Sequence, residues 1–159
     1  RQVLLNEIAP RPHNSGHYTI EACVTDQFEQ HLRAVLGLPL GDASMKVGAA
    51  IMINTLGAKN GEEGYREAYE PHLKALKVEG TTPHWYGKTG CRPGRKMGHV
   101  TIVAGTMEEA MRRKAEFLGT KYVPSTSCCW KNWVVYGLGA LALTTATVLS
   151  VKLARGRKK

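Results

Sequence analysis

Residues 49–56, Ala-Ala-Ile-Met-Ile-Asn-Thr-Leu, form a mostly apolar run closed by Gly57. A run of this length and β-branched content is a buried strand, and a buried strand needs a sheet around it. Two later segments can join it, the short run 84–86 (His-Trp-Tyr) ending at Gly87 and the alternating run 99–104. Val3, Leu4 and Leu5 suit another buried strand at the start. Helices fall between these runs. Asp26 with Glu29 makes a capping box, Phe28, Leu32, Val35 and Leu36 follow at helical spacing, and Gly37 ends the helix. Thr106 with Glu109 caps another helix that runs through Met111 and Phe117 to Gly119. The pattern over 65–78 is helical too, with Leu73 and Leu76 expected on its buried side and Pro71 expected to interrupt it and begin a new turn. The order strand, helix, strand, helix, strand, strand, helix predicts an α+β fold, a small and mostly antiparallel sheet covered by helices.

The densest polar chemistry lies in residues 6–19, where an acid, an arginine, two histidines and amides follow the first apolar run. Pro10 and Pro12 exclude a helix across this loop and stiffen it. Polar side chains on a stiff loop at a strand end are the usual setting for binding and catalysis. Asn6 and Glu7 supply hard oxygen ligands of the kind that hold Mg²⁺ beside nucleotide phosphates. Arg11 can grip a carboxylate or phosphate bidentately, and His13 or His17 can donate a hydrogen bond or move a proton, with Asn14 and Ser15 adding donors. The bland alternative is a loop that satisfies only its own backbone.

A second cluster, Lys88, Arg92, Arg95, Lys96 and His99, is interleaved with Gly90, Pro93 and Gly94. Such a loop is ordinarily solvated surface, yet glycines admit a ligand close to the backbone, and lysine with arginine around a turn suits a phosphate. A nucleic-acid surface is not expected. The formal charge is +9, but Lys152, Arg155, Arg157, Lys158 and Lys159 supply five of it, leaving +4 for the body. No stacking series of aromatics recurs. Cys23, Cys91, Cys128 and Cys129 lack metal-finger spacing and point to a reducing compartment, with Cys23 expected to pack as a small apolar residue.

Beyond Gly119 the composition changes. Residues 121–132 read as a linker. Residues 133–151 carry no charge, are flanked by Trp130, Trp133 and Tyr136 on one side, and precede the basic cluster on the other. This reads as a hydrophobic, membrane-inserting helix with a basic end.

The two polar loops resemble one family. Asn6-Glu7-Ile8-Ala9-Pro10-Arg11-Pro12-His13-Asn14-Ser15-Gly16-His17, followed by Gln27-Phe28-Glu29 and Leu32-Arg33, is similar to the N5-carboxyaminoimidazole ribonucleotide synthetases, ATP-grasp enzymes that form the synthetase part of fungal phosphoribosylaminoimidazole carboxylase. Trp85-Tyr86-Gly87-Lys88 and Arg92-Pro93-Gly94-Arg95-Lys96-Met97-Gly98-His99 resemble the family's second block. The likeness runs from about Val3 to Leu118.

The resemblance implies an ATP-dependent ligase of purine biosynthesis that joins bicarbonate to the amine of aminoimidazole ribonucleotide, with ATP and Mg²⁺ as cofactors. It assigns Asn6 and Glu7 to the nucleotide, with Glu7 on the metal. Arg11 and His13 become the catalytic candidates and, with Asn14, face bicarbonate and the ribonucleotide, while Lys88, Arg95 and Lys96 hold the ribonucleotide phosphate. On this reading residues 1–57 are the carboxy-terminal part of an ATP-grasp domain, 58–120 a small sheet domain, 121–132 the linker and 133–159 the tail. The chain is expected to be a piece of a longer, cytoplasmic enzyme, inactive without the ATP-clamping domains that precede this region in the family. Further expected partners are those domains, a second copy, and a membrane through residues 133–151. The competing expectation is a non-enzymatic, membrane-tethered module that keeps the substrate loop without the ATP half.

Overall fold

The computed structural model describes Leu4, Leu5 and residues 8–124. Asn6, Glu7 and the whole segment 133–159 lie outside the described residues, as do Val3 and most of the linker. Among the described residues no helix is long and apolar enough to cross a membrane.

In chain order come a 3-10 turn (Asn14–Gly16), α1 (Thr19–Ala22), α2 (Gln27–Val35), β1 (Ala49–Leu56), α3 (Gly61–Ala75), β2 (Thr81–Trp85), β3 (Lys96–Ala104) and α4 (Met107–Leu118). The sheet has three strands in the order β1-β3-β2, and both pairings are antiparallel. The α+β expectation holds in this form. β3 is the central strand, and its residues are buried without a break from Met97 to Ile102. β2 is an edge strand of the sheet and carries Pro83. Hydrogen bonds from Tyr86 N–H to Met97 O and from Val103 N–H to Gly80 O set an alternation that turns residue 83 away from β3, so the missing proline N–H removes no ladder bond.

The two faces of the sheet differ in chemistry. On one face Val100, Ile102 and Ala104 of β3, beside Ile51 and Ile53 of β1, pack against Ala75, Val78, Ala110 and Phe117 from the α3 and α4 side. Because strand side chains alternate with period two, the opposite face takes the polar set, Asn54, His99 and His84, one from each strand. Gly98 faces α3, where an added Cβ would lie 2.5 Å from His72 Nε2, so only glycine lets the helix come this close.

The capping boxes set the helix starts. Asp26 accepts from Phe28 and Glu29 N–H, and Thr106 accepts from Glu109 N–H. Cys23 is buried, as expected of a small apolar residue.

Several expectations are corrected. Leu4 and Leu5 are in no strand and are 74% and 83% exposed, because among the described residues no strand edge pairs with them. The prolines do not keep the following loop free of helix. The 3-10 turn starts two residues after Pro12, where their constraint on backbone angles has ended. β2 starts three residues earlier than its aromatic run, and β3 starts at Lys96, three residues before the expected run 99–104, so Lys96 of the basic cluster opens the strand and His99 lies inside it as the alternation predicts.

α3 also differs from its sequence pattern. It runs unbroken through Pro71, and Leu73 and Leu76 are 50% and 70% exposed while Gly64, Ala68, His72 and Ala75 are buried. The helix lies close to the sheet, so its small residues face inward and the leucines ride on the outer flank. Continuing through Pro71 forfeits the hydrogen bond to Glu67 O. Pro71→Ala is therefore expected to raise stability by roughly 1–3 kcal/mol, read as a higher urea midpoint; an unchanged or lower midpoint would contradict this.

Candidate functional site

The loop of residues 10–18 is held by Gln27, the first residue of α2. Gln27 Oε1 accepts from His13 N–H at 2.9 Å, and its Nε2 donates to His13 O at 2.9 Å and to His17 Nδ1 at 2.6 Å. The amide sits directly over Gly16, where a Cβ would lie 2.5 Å from Oε1. His13 caps the 3-10 turn: its Nδ1 accepts from Ser15 N–H at 3.4 Å and lies 2.9 Å from Ser15 Oγ.

Asn14 next anchors the loop to the sheet. Its Nδ2 donates to Asn54 Oδ1 at 2.7 Å, and Asn54 Nδ2 donates back to Asn14 Oδ1 at 3.1 Å. The same Asn14 Oδ1 accepts from Lys96 Nζ at 3.2 Å, joining the first polar loop to the second basic cluster across 82 residues of chain. Lys88 Nζ donates to Lys96 O at 2.8 Å and stands 5.3 Å from the centre of the Tyr86 ring, a cation–π arrangement. The two ammonium groups thus belong to one corner of the molecule. Among the described residues no carboxylate pairs with Lys88, Lys96, Arg95 or Arg11.

Beneath this corner lies an aromatic and imidazole layer in which His99 is buried and His17, His84 and Tyr86 are half-buried. Tyr86 Oη lies 2.8 Å from His99 Nδ1. Burial raises the Tyr86 pKa, so the phenol keeps its proton and donates it to His99. Burial, reinforced by His84, His17 and His72, lowers the His99 pKa to about 3, so its imidazole is neutral and able to accept. The His17 pKa is lowered as well, first by burial and then by the charge of Lys96. His84 Nε2 donates to Glu21 Oε1 at 2.6 Å, and the His84 and His99 rings stack at 4.3 Å.

The structure therefore brings together Asn14, Lys88 and Lys96 and places His13 on the same loop. It does not bring Arg11 or Arg95 into contact with them. Arg11 is exposed with Nη1 on Pro12 O, and Arg95 Nη1 donates to Thr89 O and Gly90 O of its own loop. Asn6 and Glu7 are outside the described residues. From sequence, Glu21, Asn54, His84 and Tyr86 have no site role and Gln27 has only a place in the family motif, whereas His99 belongs to the second basic cluster. The one available signal was Asn54, a polar amide inside an otherwise apolar strand. Among the described residues no group of three histidine, cysteine, aspartate or glutamate side chains is arranged to hold a metal ion.

Comparison with known proteins settles the family. Residues 50–113 match the family described as phosphoribosylaminoimidazole carboxylase C-terminal domain, and residues 1–28 match the ATP-grasp domain. The chain carries this carboxylase family's carboxy-terminal domain. It is 57% identical over 106 residues to the chloroplastic phosphoribosylaminoimidazole carboxylase of Vigna aconitifolia, covering 67% of this chain and 19% of that protein. It is similar to the crystal structure of N5-carboxyaminoimidazole ribonucleotide synthetase from Thermotoga maritima, with a TM-score of 0.62 and 46% identity over 74% of this chain and 32% of the other. The Aspergillus clavatus N5-carboxyaminoimidazole synthase in complex with ADP and 5-aminoimidazole ribonucleotide matches at a TM-score of 0.61 and 38% identity, over 69% and 28% of the two chains. The phosphoribosylaminoimidazole carboxylase C-terminal domain match begins in β1 and ends in α4, so it takes in all of the sheet except Ala49. The chain spans roughly a fifth to a third of the length of these relatives.

Proposed function

We propose that this chain supplies the ribonucleotide-facing wall of an ATP-grasp ligase that carboxylates the amine of aminoimidazole ribonucleotide in purine biosynthesis. The observation that carries the reading is the 3.2 Å contact between Lys96 and Asn14, which unites the two loops whose motifs resemble this family. The Aspergillus relative, described in complex with ADP and 5-aminoimidazole ribonucleotide, supports the ligand class.

In this reading bicarbonate oxygen attacks the γ-phosphorus of ATP, and ADP leaves. The ribonucleotide amine then attacks the carboxyl carbon of carboxyphosphate, expels phosphate and loses one proton. The chain's own residues gather anions. Lys88 and Lys96 face the ribonucleotide phosphate, and Arg95, whose Nη1 is held by Thr89 O and Gly90 O, adds positive charge from the same loop. Asn14 presents its amide beside Lys96, and His13 and Arg11 address bicarbonate and the carboxyl group. Fixed donors of this kind hold charge in place before it develops, which is how a site without its own nucleophile accelerates transfer. By the resemblance Asn6 and Glu7 are assigned to the nucleotide, and Glu7 would hold a Mg²⁺ that would screen its phosphates.

The test uses the 159-residue polypeptide. Adding 5-aminoimidazole ribonucleotide is expected to move the side-chain NMR signals of Asn14 and Lys96, and signals unchanged at millimolar ligand would reject the reading. ATP and bicarbonate should yield no ADP from this stretch alone, because so small a share of the family's length is present. Bicarbonate-dependent ADP release would overturn that expectation.

A further inference from the structure

The polar face of the sheet holds three residues in register, Asn54 on β1, His99 on β3 and His84 on β2, with Asn54 and His84 both paired to His99. Each meets one residue of the segment that carries the substrate loop. Asn54 exchanges two hydrogen bonds with Asn14. The His99 ring lies 5.2 Å from the His17 ring, tilted by 34°. His84 Nε2 donates to Glu21 Oε1 at 2.6 Å.

The gripped residues are spaced three and four apart, the spacing of one helix face. From 14 to 21 the segment is the 3-10 turn leading into α1. Seven residues of such a helix advance about 10–12 Å. Two inter-strand steps of a sheet amount to about 10 Å. The segment therefore runs across the strands with one contact on each.

We propose that Asn54, His99 and His84 act as a three-rung clamp that fixes the substrate loop against the basic loop, making them positioning residues for the anion pocket rather than ordinary core. The pocket itself rests on the function proposed above. Two features argue for position over mere burial. His99 Nε2 and Glu21 Oε2 are buried with no partner, an arrangement that apolar side chains would avoid. The rungs are also directional. A slip of the segment by one residue would separate Asn14 from both Asn54 and Lys96, whereas a greasy contact would tolerate it. Stacking of His84 on His99 at 4.3 Å and 13° joins the far rung to the middle one.

The test cuts the rung farthest from Asn14 in the full 159-residue chain. His84→Leu removes the donor to Glu21 and touches no substrate group. Hydrogen exchange of the Asn14 and Asn54 side-chain amides, followed by NMR without ligand, is expected to accelerate about tenfold or more. The dissociation constant for 5-aminoimidazole ribonucleotide should rise at least about fivefold. His84→Gln keeps an N–H donor toward Glu21 and should return both readings to within about twofold of the unaltered chain. A His84→Leu chain that melts earlier yet keeps the original Asn14 and Asn54 exchange rates would overturn the clamp and leave His84 a structural residue. Glu21→Ala severs the same rung from the helix side and is read identically if His84→Leu does not fold. Unprotected Asn14 and Asn54 amides in the unaltered chain would overturn the clamp whatever the variants do. Absence of any response to the ribonucleotide refutes the proposed function instead, because the exchange reading needs no ligand.

Discussion

Acidifying the chain from pH 7.5 to pH 5 is expected to lower its folding stability by about 2 kcal/mol through His99 alone. The folded-state pKa of His99 is depressed from the ordinary 6.5 to about 3, first by burial and then by His84, His17 and His72. At pH 5 the unfolded chain takes up a proton on this imidazole and the folded chain does not. The stabilisation is thus complete above the unfolded value, erodes as pH falls below it, and is fully lost only on passing through the folded value. The pKa values of His72 and His17 are lowered too, burial being the largest cause for each, so they add with the same sign. The groups around His99 do not offset this: Tyr86 donates to its Nδ1, and Glu21 is engaged by His84. Urea denaturation at pH 7.5, 6 and 5 measures the slope. His99→Gln should flatten it, and equal stability at the two ends of the range would disprove the buried neutral imidazole.

His99 also shows where sequence reading stops. Its place in a strand was legible from the alternating run 99–104, but its burial was not, because a histidine beside a basic loop looks solvated until the strand register is known. Local signals did better. Asp26 and Thr106 marked helix starts because a cap is satisfied within three residues of itself, and the strand 49–56 announced itself by composition. Burial required longer-range information. In α3, Leu73 and Leu76 outrank Ala68 and Ala75 in hydrophobicity, yet the close approach of helix to sheet selects the small residues. In α2, the periodicity of Phe28, Leu32 and Val35 correctly gave a helix, but among the described residues that apolar face remains exposed. Period fixes the kind of element and not what covers it. The site divided in the same way. The donor types were readable in the two loops. The meeting of Asn14 with Lys96 depends on a sheet register that neither loop encodes by itself.

Lys96→Met in the intact parent enzyme is expected to raise the KM for the ribonucleotide by roughly 10- to 100-fold, the equivalent of about 1.5–3 kcal/mol for one charge-assisted hydrogen bond. Methionine keeps much of the unbranched apolar stem, so β3 can retain its position while the charge disappears. Two losses coincide. The pocket gives up one of two ammonium groups that lack a carboxylate partner among the described residues. Asn14 Oδ1 loses the 3.2 Å contact from Lys96 and retains only Asn54. Because a phosphate is bound alike in ground and transition states, the change should fall mainly on KM, whereas slack in the loop bearing His13 and Asn14 would fall on kcat. Lys88→Met offers the contrast. It removes a cation that does not touch Asn14, so it should raise KM with less effect on kcat. A Lys96→Met enzyme with unaltered KM would place the ribonucleotide phosphate elsewhere. A Lys88→Met enzyme matching Lys96→Met in both constants would remove the distinction between charge and positioning that the Asn14 contact implies.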